Sequence, residues 1–209
     1  IGAQTLLTNT IQDLEFTFDV LGNLETKTDN RRGLAESYDY DGLNRLTEVS
    51  GSSTLHMVYD GLGNITSKSD VGAYAYGSKP HAVATAGGVG YGYDGNGNLT
   101  SGDGRSNSYS VFNKPYLMSQ SGNSVSIDYG PNRERYRRIE VKGGSTTTTH
   151  YVGSFEKIWR PNGINETKRY LDGEVIVTTR SNGTQDTEYV FTDQLGSIDV
   201  LTDTAGSIV

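Results

Sequence analysis

Large apolar and small or polar positions alternate over short stretches, and the alternation breaks off and restarts at regular intervals. Phe16-Thr17-Phe18, Tyr38-Asp39-Tyr40, Met57-Val58-Tyr59 and Tyr91-Gly92-Tyr93 each hold two large side chains two positions apart, which puts both on one face of an extended strand. Asp19, Asp41, Asp60 or Asp94 follows at once, then two turn residues, Gly or Asn, Asn or Arg, and Leu or Ile. An Asp that opens a turn can accept backbone N–H groups on its carboxylate, and the Gly or Asn tolerates the left-handed conformation a hairpin demands. Each copy therefore predicts a strand, a tight turn and a return strand.

The Asp position and its equivalent fall at 19, 41, 60, 77 and 94, where Tyr74-Ala75-Tyr76-Gly77 is a decayed copy. Tyr109-Ser110-Val111-Phe112-Asn113-Lys114-Pro115 keeps the frame without the Asp, Tyr129-Gly130-Pro131-Asn132-Arg133 follows, and Tyr170-Leu171-Asp172-Gly173-Glu174 shows similar grammar. A hairpin unit of about twenty residues cannot bury its own apolar face, so units are expected to pile side by side into a sheet. The expected fold is all-β, built of stacked antiparallel hairpin repeats. No domain boundary is visible, and residues 1–209 read as a single domain. Cutting such a sheet leaves open strand edges that favour association.

Composition fits this picture. The hydrophobic fraction is only 33%, but the chain has 27 Gly, and its aromatic content is 14 Tyr against 5 Phe and 1 Trp. Tyrosine suits a pleated, half-buried surface and glycine suits tight turns. With no cysteine there is neither a disulfide framework nor a thiolate metal site. A net charge of −7 argues against nucleic acid, whose binding needs a basic surface. No apolar run approaches the length of a membrane-spanning helix.

The Tyr-Asp units, together with Tyr189-Val190-Phe191-Thr192-Asp193-Gln194-Leu195-Gly196-Ser197-Ile198 near the end, resemble the YD-repeat (RHS-repeat) family. Its members include bacterial RHS polymorphic toxins, the C component of insecticidal toxin complexes, and teneurins. The resemblance covers roughly residues 15 to 203, and its defining positions are Phe16, Phe18, Asp19, Tyr38, Tyr40, Asp41, Tyr59, Asp60, Tyr91, Tyr93, Asp94, Asp193 and Gly196. It implies a β-sheet that spirals into a hollow shell, in which the Asp-x-Leu-Gly-Ser stretch lies just before a C-terminal toxin. The implied function is that of a non-catalytic shell segment that encapsulates a toxin domain and helps deliver it. The implied partners are that enclosed domain, the rest of the shell on the same polypeptide, and a secretion system. Export to the outside or to the cell surface follows, and both ends read as cuts through a longer chain. The family's self-cleaving Asp-Pro-x-Gly run is not among these residues, so autoproteolysis is not carried over.

Little else suggests chemistry. His56, His81 and His150 are widely spaced and have no Cys beside them, which is not the spacing of a metal site. No serine sits in a Gly-x-Ser-x-Gly elbow. Asp94-Gly95-Asn96-Gly97-Asn98 opens like a calcium loop, but Leu99 stands where such a loop needs Gly and Arg105 where it needs Glu. Asp39 and Asp41 read as repeat residues and not as an acid–base pair. Neither a catalytic residue nor a cofactor or metal site is expected. The one basic cluster is Arg133 to Arg138; on a continuous strand Arg133, Arg135 and Arg137 would share a face with Ile127, Tyr129 and Ile139, stacking on tyrosines or meeting an anion. An alternative function is that of an extracellular carbohydrate- or protein-binding adhesion module, because aromatic faces and polar turns suit sugars.

Overall fold

The computed structural model describes residues 11–209. They form twenty antiparallel β-strands in two compact units, one ending at Gly90 and the other beginning at Tyr91. In the first unit lie β1 (Leu14–Phe18), β2 (Leu24–Asp29), β3 (Leu34–Tyr40), β4 (Leu46–Ser50), β5 (Leu55–Tyr59), β6 (Ile65–Lys68), β7 (Gly72–Tyr76) and β8 (Val83–Ala86). The division falls within β9 (Val89–Tyr93). The second unit continues with β10 (Leu99–Gly102), β11 (Arg105–Tyr109), β12 (Pro115–Gln120), β13 (Asn123–Tyr129), β14 (Arg135–Lys142) and β15 (Ser145–Val152). It ends with β16 (Phe155–Trp159), β17 (Glu166–Leu171), β18 (Val175–Arg180), β19 (Gln185–Thr192) and β20 (Ile198–Thr202).

Within each unit every strand pairs with the strand before it and the strand after it, so the topology is a meander of hairpins. No second layer covers either unit among the described residues, where substantial packing occurs only between strands adjacent in sequence. The apolar core is correspondingly thin. Met57 and Ala86 are buried in the first unit, and Ile158, Ile176 and Val200 in the second. Thr149, Thr178 and Thr202 are buried as well. Their hydroxyls tolerate a half-polar sheet surface and their branched Cβ suits the pleat. Most other large side chains are half-buried, as a single-layer sheet dictates.

Two kinds of hairpin alternate along much of the chain. One kind closes tightly on glycines, as at Gly87-Gly88 and Gly143-Gly144, where both residues have positive φ. The other holds a five-residue loop and a bulge in the return strand. Among the described residues eight hairpins carry this bulge, and the extra, unpaired residues in seven of them are Glu25, Thr47, Thr66, Thr100, Tyr116, Tyr136 and Asp199. In the eighth, where the decayed copy has a six-residue loop, the residue is Ala84. A bulge at a constant place re-aims one side chain per hairpin.

Candidate functional site

Most of the five-residue loops share one backbone frame, and where the repeat Asp opens the loop its carboxylate reinforces that frame. In the loop Asp60–Asn64, the Asp60 N–H donates to the Asn64 carbonyl at 2.9 Å and the Gly63 N–H donates back to the Asp60 carbonyl at 3.1 Å. The carboxylate then uses both oxygens. Oδ1 accepts the N–H groups of Leu62 (2.8 Å) and Asn64 (2.9 Å), while Oδ2 accepts the Asn64 side-chain amide (2.9 Å). Gly63 sits at φ +88, a region that costs an L residue about 1–2 kcal/mol. Asp19, Asp41 and Asp94 make the equivalent bonds, with the Arg45 guanidinium replacing the amide at Asp41. The Asp94 loop thus spends both carboxylate oxygens on its own turn.

Asp193 opens the same loop: its Oδ1 accepts the Leu195 and Ser197 N–H groups, both at 2.9 Å, and Gly196 has φ +81. Ten positions on, Asp203–Ser207 repeats it bond for bond. Ser110 and Gly130 stand in the Asp place of two further loops, whose left-handed residues are Asn113 and Arg133. The sequence pattern did not reveal the loops at Arg160–Ile164, Arg180–Thr184 and Asp203–Ser207. They lack the preceding aromatic pair, although Asn-Gly or Ala-Gly marks the left-handed position in each. Asp172 differs from the apparent copy around it: it is itself left-handed (φ +50), in a three-residue loop closed by the Glu174 N–H on the Leu171 carbonyl.

In five hairpins the tyrosine that precedes the loop ties its hairpin to the previous one. Its hydroxyl donates to the backbone carbonyl of the residue that opens the preceding return strand: Tyr40 to Leu24 (3.1 Å), Tyr59 to Leu46 (2.7 Å) and Tyr76 to Ile65 (2.9 Å). In the second unit Tyr109 reaches Leu99 (3.0 Å) and Tyr129 reaches Pro115 (2.7 Å). Phe18 has no hydroxyl to offer and is 53% exposed. Each of these five tyrosines sits where the register of its own hairpin shifts by one residue. Tyr38, the other aromatic of its pair, donates to Glu36 at 2.8 Å, and burial together with that carboxylate pushes its hydroxyl up to about 12.

Neighbouring loops also touch. The Asn23 amide donates to the Asn44 side-chain oxygen (3.1 Å), Arg45 to the Asp60 carbonyl (3.2 Å), and the Asn64 amide to the Pro80 carbonyl (2.9 Å). In the second unit the Asn98 amide donates to Asn113 (3.0 Å), and the Lys114 ammonium donates to the Arg133 carbonyl. The result is a side-chain ladder along the row of loops.

The histidines are dispersed. His56 lies 3.1 Å from Glu48, His81 Nδ1 lies 2.8 Å from the Asn64 side-chain oxygen, and His150 packs edge-on against Trp159. No group of three His, Cys, Asp or Glu among the described residues is placed to hold a metal ion. The arginine cluster does not share one face as a continuous strand would. Arg133 lies in the loop, with its guanidinium over Phe112, and the bulge at Tyr136 shifts the register so that Ile127 pairs with Arg138 and Asp128 with Arg137. Arg135 stacks 4.0 Å from the Tyr151 ring centroid, and Arg137 and Arg138 pair with Asp128 and Glu140.

The carboxylates of Asp19, Asp41 and Asp60 titrate below the ordinary value. The side-chain bond from Asn23, Arg45 or Asn64 is the largest cause, supplemented by backbone N–H donors. A carboxylate held low in the folded state contributes stability that is fully present above the unfolded value, near about 3.9, and is lost as pH falls through the folded one. Urea midpoints are accordingly expected to fall steeply with pH only below about pH 4, and Asp60→Asn should flatten that acid limb. An unchanged slope in the variant would count against the assignment.

The fold and the loop network define an antiparallel β-hairpin-repeat protein. No family model matches the chain, and no curated protein matches it. Among solved structures, it is similar to a chain in the Photorhabdus luminescens Tc holotoxin pore, with 12% identity, a TM-score of 0.44, and coverage of 95% of this chain and 15% of that one. The chain thus spans a small part of that neighbour's length.

Proposed function

We propose that this chain is a non-catalytic segment of a YD/RHS-repeat shell, exported as part of a larger polypeptide, which encloses a C-terminal toxin domain and helps deliver it. The observation that carries the reading is the tyrosine-to-carbonyl bond repeated from hairpin to hairpin. It lays each of five hairpins as a course on the one before. With no second layer among the described residues, both faces of the sheet are half-covered, and the interior of a shell is one setting in which a cargo domain covers the inner face. The partners are the enclosed domain, the remaining courses of the same polypeptide and a secretion system.

Limited proteolysis of the complete natural polypeptide tests the reading. A toxin domain C-terminal to the repeats is expected to survive protease doses that digest the same domain expressed alone. Digestion at equal rates would remove the basis for enclosure.

A further inference from the structure

One cleft of the second unit lies where the repeat lacks the first of its two large side chains. Five copies hold that side chain at Phe16, Tyr38, Met57, Tyr74 and Tyr91. In β11 the second large residue is kept as Tyr109, but Asn107 stands in the place of the first. Register sets Asn107 opposite Met118, Met118 opposite Val125, and Val125 opposite Glu140, so the gap opens onto a row that crosses β11 to β14. The Asn107 amide donates to the Leu99 carbonyl at 3.0 Å, the same acceptor that takes the Tyr109 hydroxyl. What remains is a cleft of about 480 Å³ with Tyr109, Pro115, Met118 and Val125 among its walls, a size and lining that suit a small organic molecule.

Three charged residues line this cleft: Arg105, Glu140 and Lys142. Arg105 is held by Asp103 (2.9 Å) and Glu140 by Arg138 (2.8 Å), so each is cancelled by a residue outside the lining. Lys142 is exposed and makes no ion pair among the described residues. The Gln120 amide donates to the Asp103 carbonyl (2.8 Å) and the Asn123 side-chain oxygen accepts the Gly143 N–H (2.9 Å), so these polar groups serve the sheet itself. An apolar hollow with one uncompensated cation selects a molecule with an apolar body and a single negative charge. A second charge on the ligand would be stranded over Met118 and Val125 without a partner.

We propose that this cleft binds an apolar monocarboxylate, its body on Met118, Val125 and the Tyr109 ring and its carboxylate on the Lys142 ammonium. Met118 suits such a role, because an unbranched thioether adapts to irregular apolar shapes. The site does not depend on the shell reading. Failure of the protease-protection experiment would leave it standing, and its own failure would leave the shell reading standing.

The chain has two methionines, Met57 and Met118, and only Met118 lines the cleft. NMR of the 209-residue chain with isotope-labelled methionine methyls therefore gives one signal inside the site and one outside it. Decanoate, kept below its micellar concentration, is expected to shift the Met118 signal saturably and to leave that of Met57 in place. Decanol should bind about fivefold more weakly, the worth of an exposed ion pair, and Lys142→Gln should bring decanoate down to the decanol level. Asn107→Tyr restores the large side chain of the repeat and fills the hollow, so it should abolish the Met118 shift without lowering the urea midpoint. Should that variant unfold, decanol and Lys142→Gln decide alone. The proposal is overturned if Met118 does not respond, if Met57 shifts in parallel, or if decanol binds as tightly as decanoate. It is equally overturned if folded Asn107→Tyr or Lys142→Gln binds decanoate as the parent does, or if an apolar peptide without a free carboxylate shifts Met118 where decanoate does not.

Discussion

Gly87→Ala is expected to destabilise the first unit by about 2–4 kcal/mol, combining left-handed strain with overpacking. Gly87 has φ +55, and a Cβ added there would lie 2.4 Å from the Val71 carbonyl oxygen, a backbone atom that no rotamer can move aside. Its neighbour Gly88 is also left-handed (φ +82), but a Cβ there would meet nothing within 4 Å. Gly88→Ala should therefore cost only the strain, about 1–2 kcal/mol. Urea denaturation of the two variants separates strain from clash. Equal losses would mean that the chain around Val71 yields freely and that the close approach is not a constraint.

Tyr59→Ala should be the most damaging side-chain truncation in the ladder, costing about 2–3 kcal/mol from the lost half-buried ring and its hydroxyl bond together. Tyr59→Phe isolates the bond to the Leu46 carbonyl and should cost about 1 kcal/mol, provided water reaches the abandoned carbonyl. The Arg45 guanidinium lies 4.7 Å from the Tyr59 ring centroid, and a cycle with Arg45→Ala should give a coupling of about 0.5–1 kcal/mol. The readout should be spatially specific: hydrogen exchange in β4, β5 and β6 should accelerate more than in β1. Uniform acceleration across the first unit would mean that it unfolds as one block, and would contradict hairpin-by-hairpin coupling.

The spacing of aromatic pairs and Asp was enough to place the hairpins of residues 14 to 102, because turn chemistry and strand periodicity are local properties of the chain. The bulges were not legible. They depend on register, which is set by the pairing of two strands, and one slipped residue changes which side chains share a face. This is why the arginine cluster was misassigned: Arg133 belongs to a loop, and the extra residue Tyr136 moves Ile127 opposite Arg138. The tyrosine-to-carbonyl bonds were hidden for a related reason, since their acceptors are backbone atoms 10 to 16 residues back and carry no side-chain signature. The division at Gly90/Tyr91 has no mark in composition, because the repeat runs through it.

Among the described residues strands pair only with their neighbours in sequence, which also has a kinetic consequence. Each of the five tied tyrosines finds its acceptor carbonyl on a residue already synthesised, 10 to 16 positions back in the chain. Contacts of such short sequence separation close with little loop entropy. A polypeptide leaving a ribosome or a narrow export channel could therefore lock course by course, starting from its leading end. The most recently formed edge would be the only part exposed to mispairing at any moment.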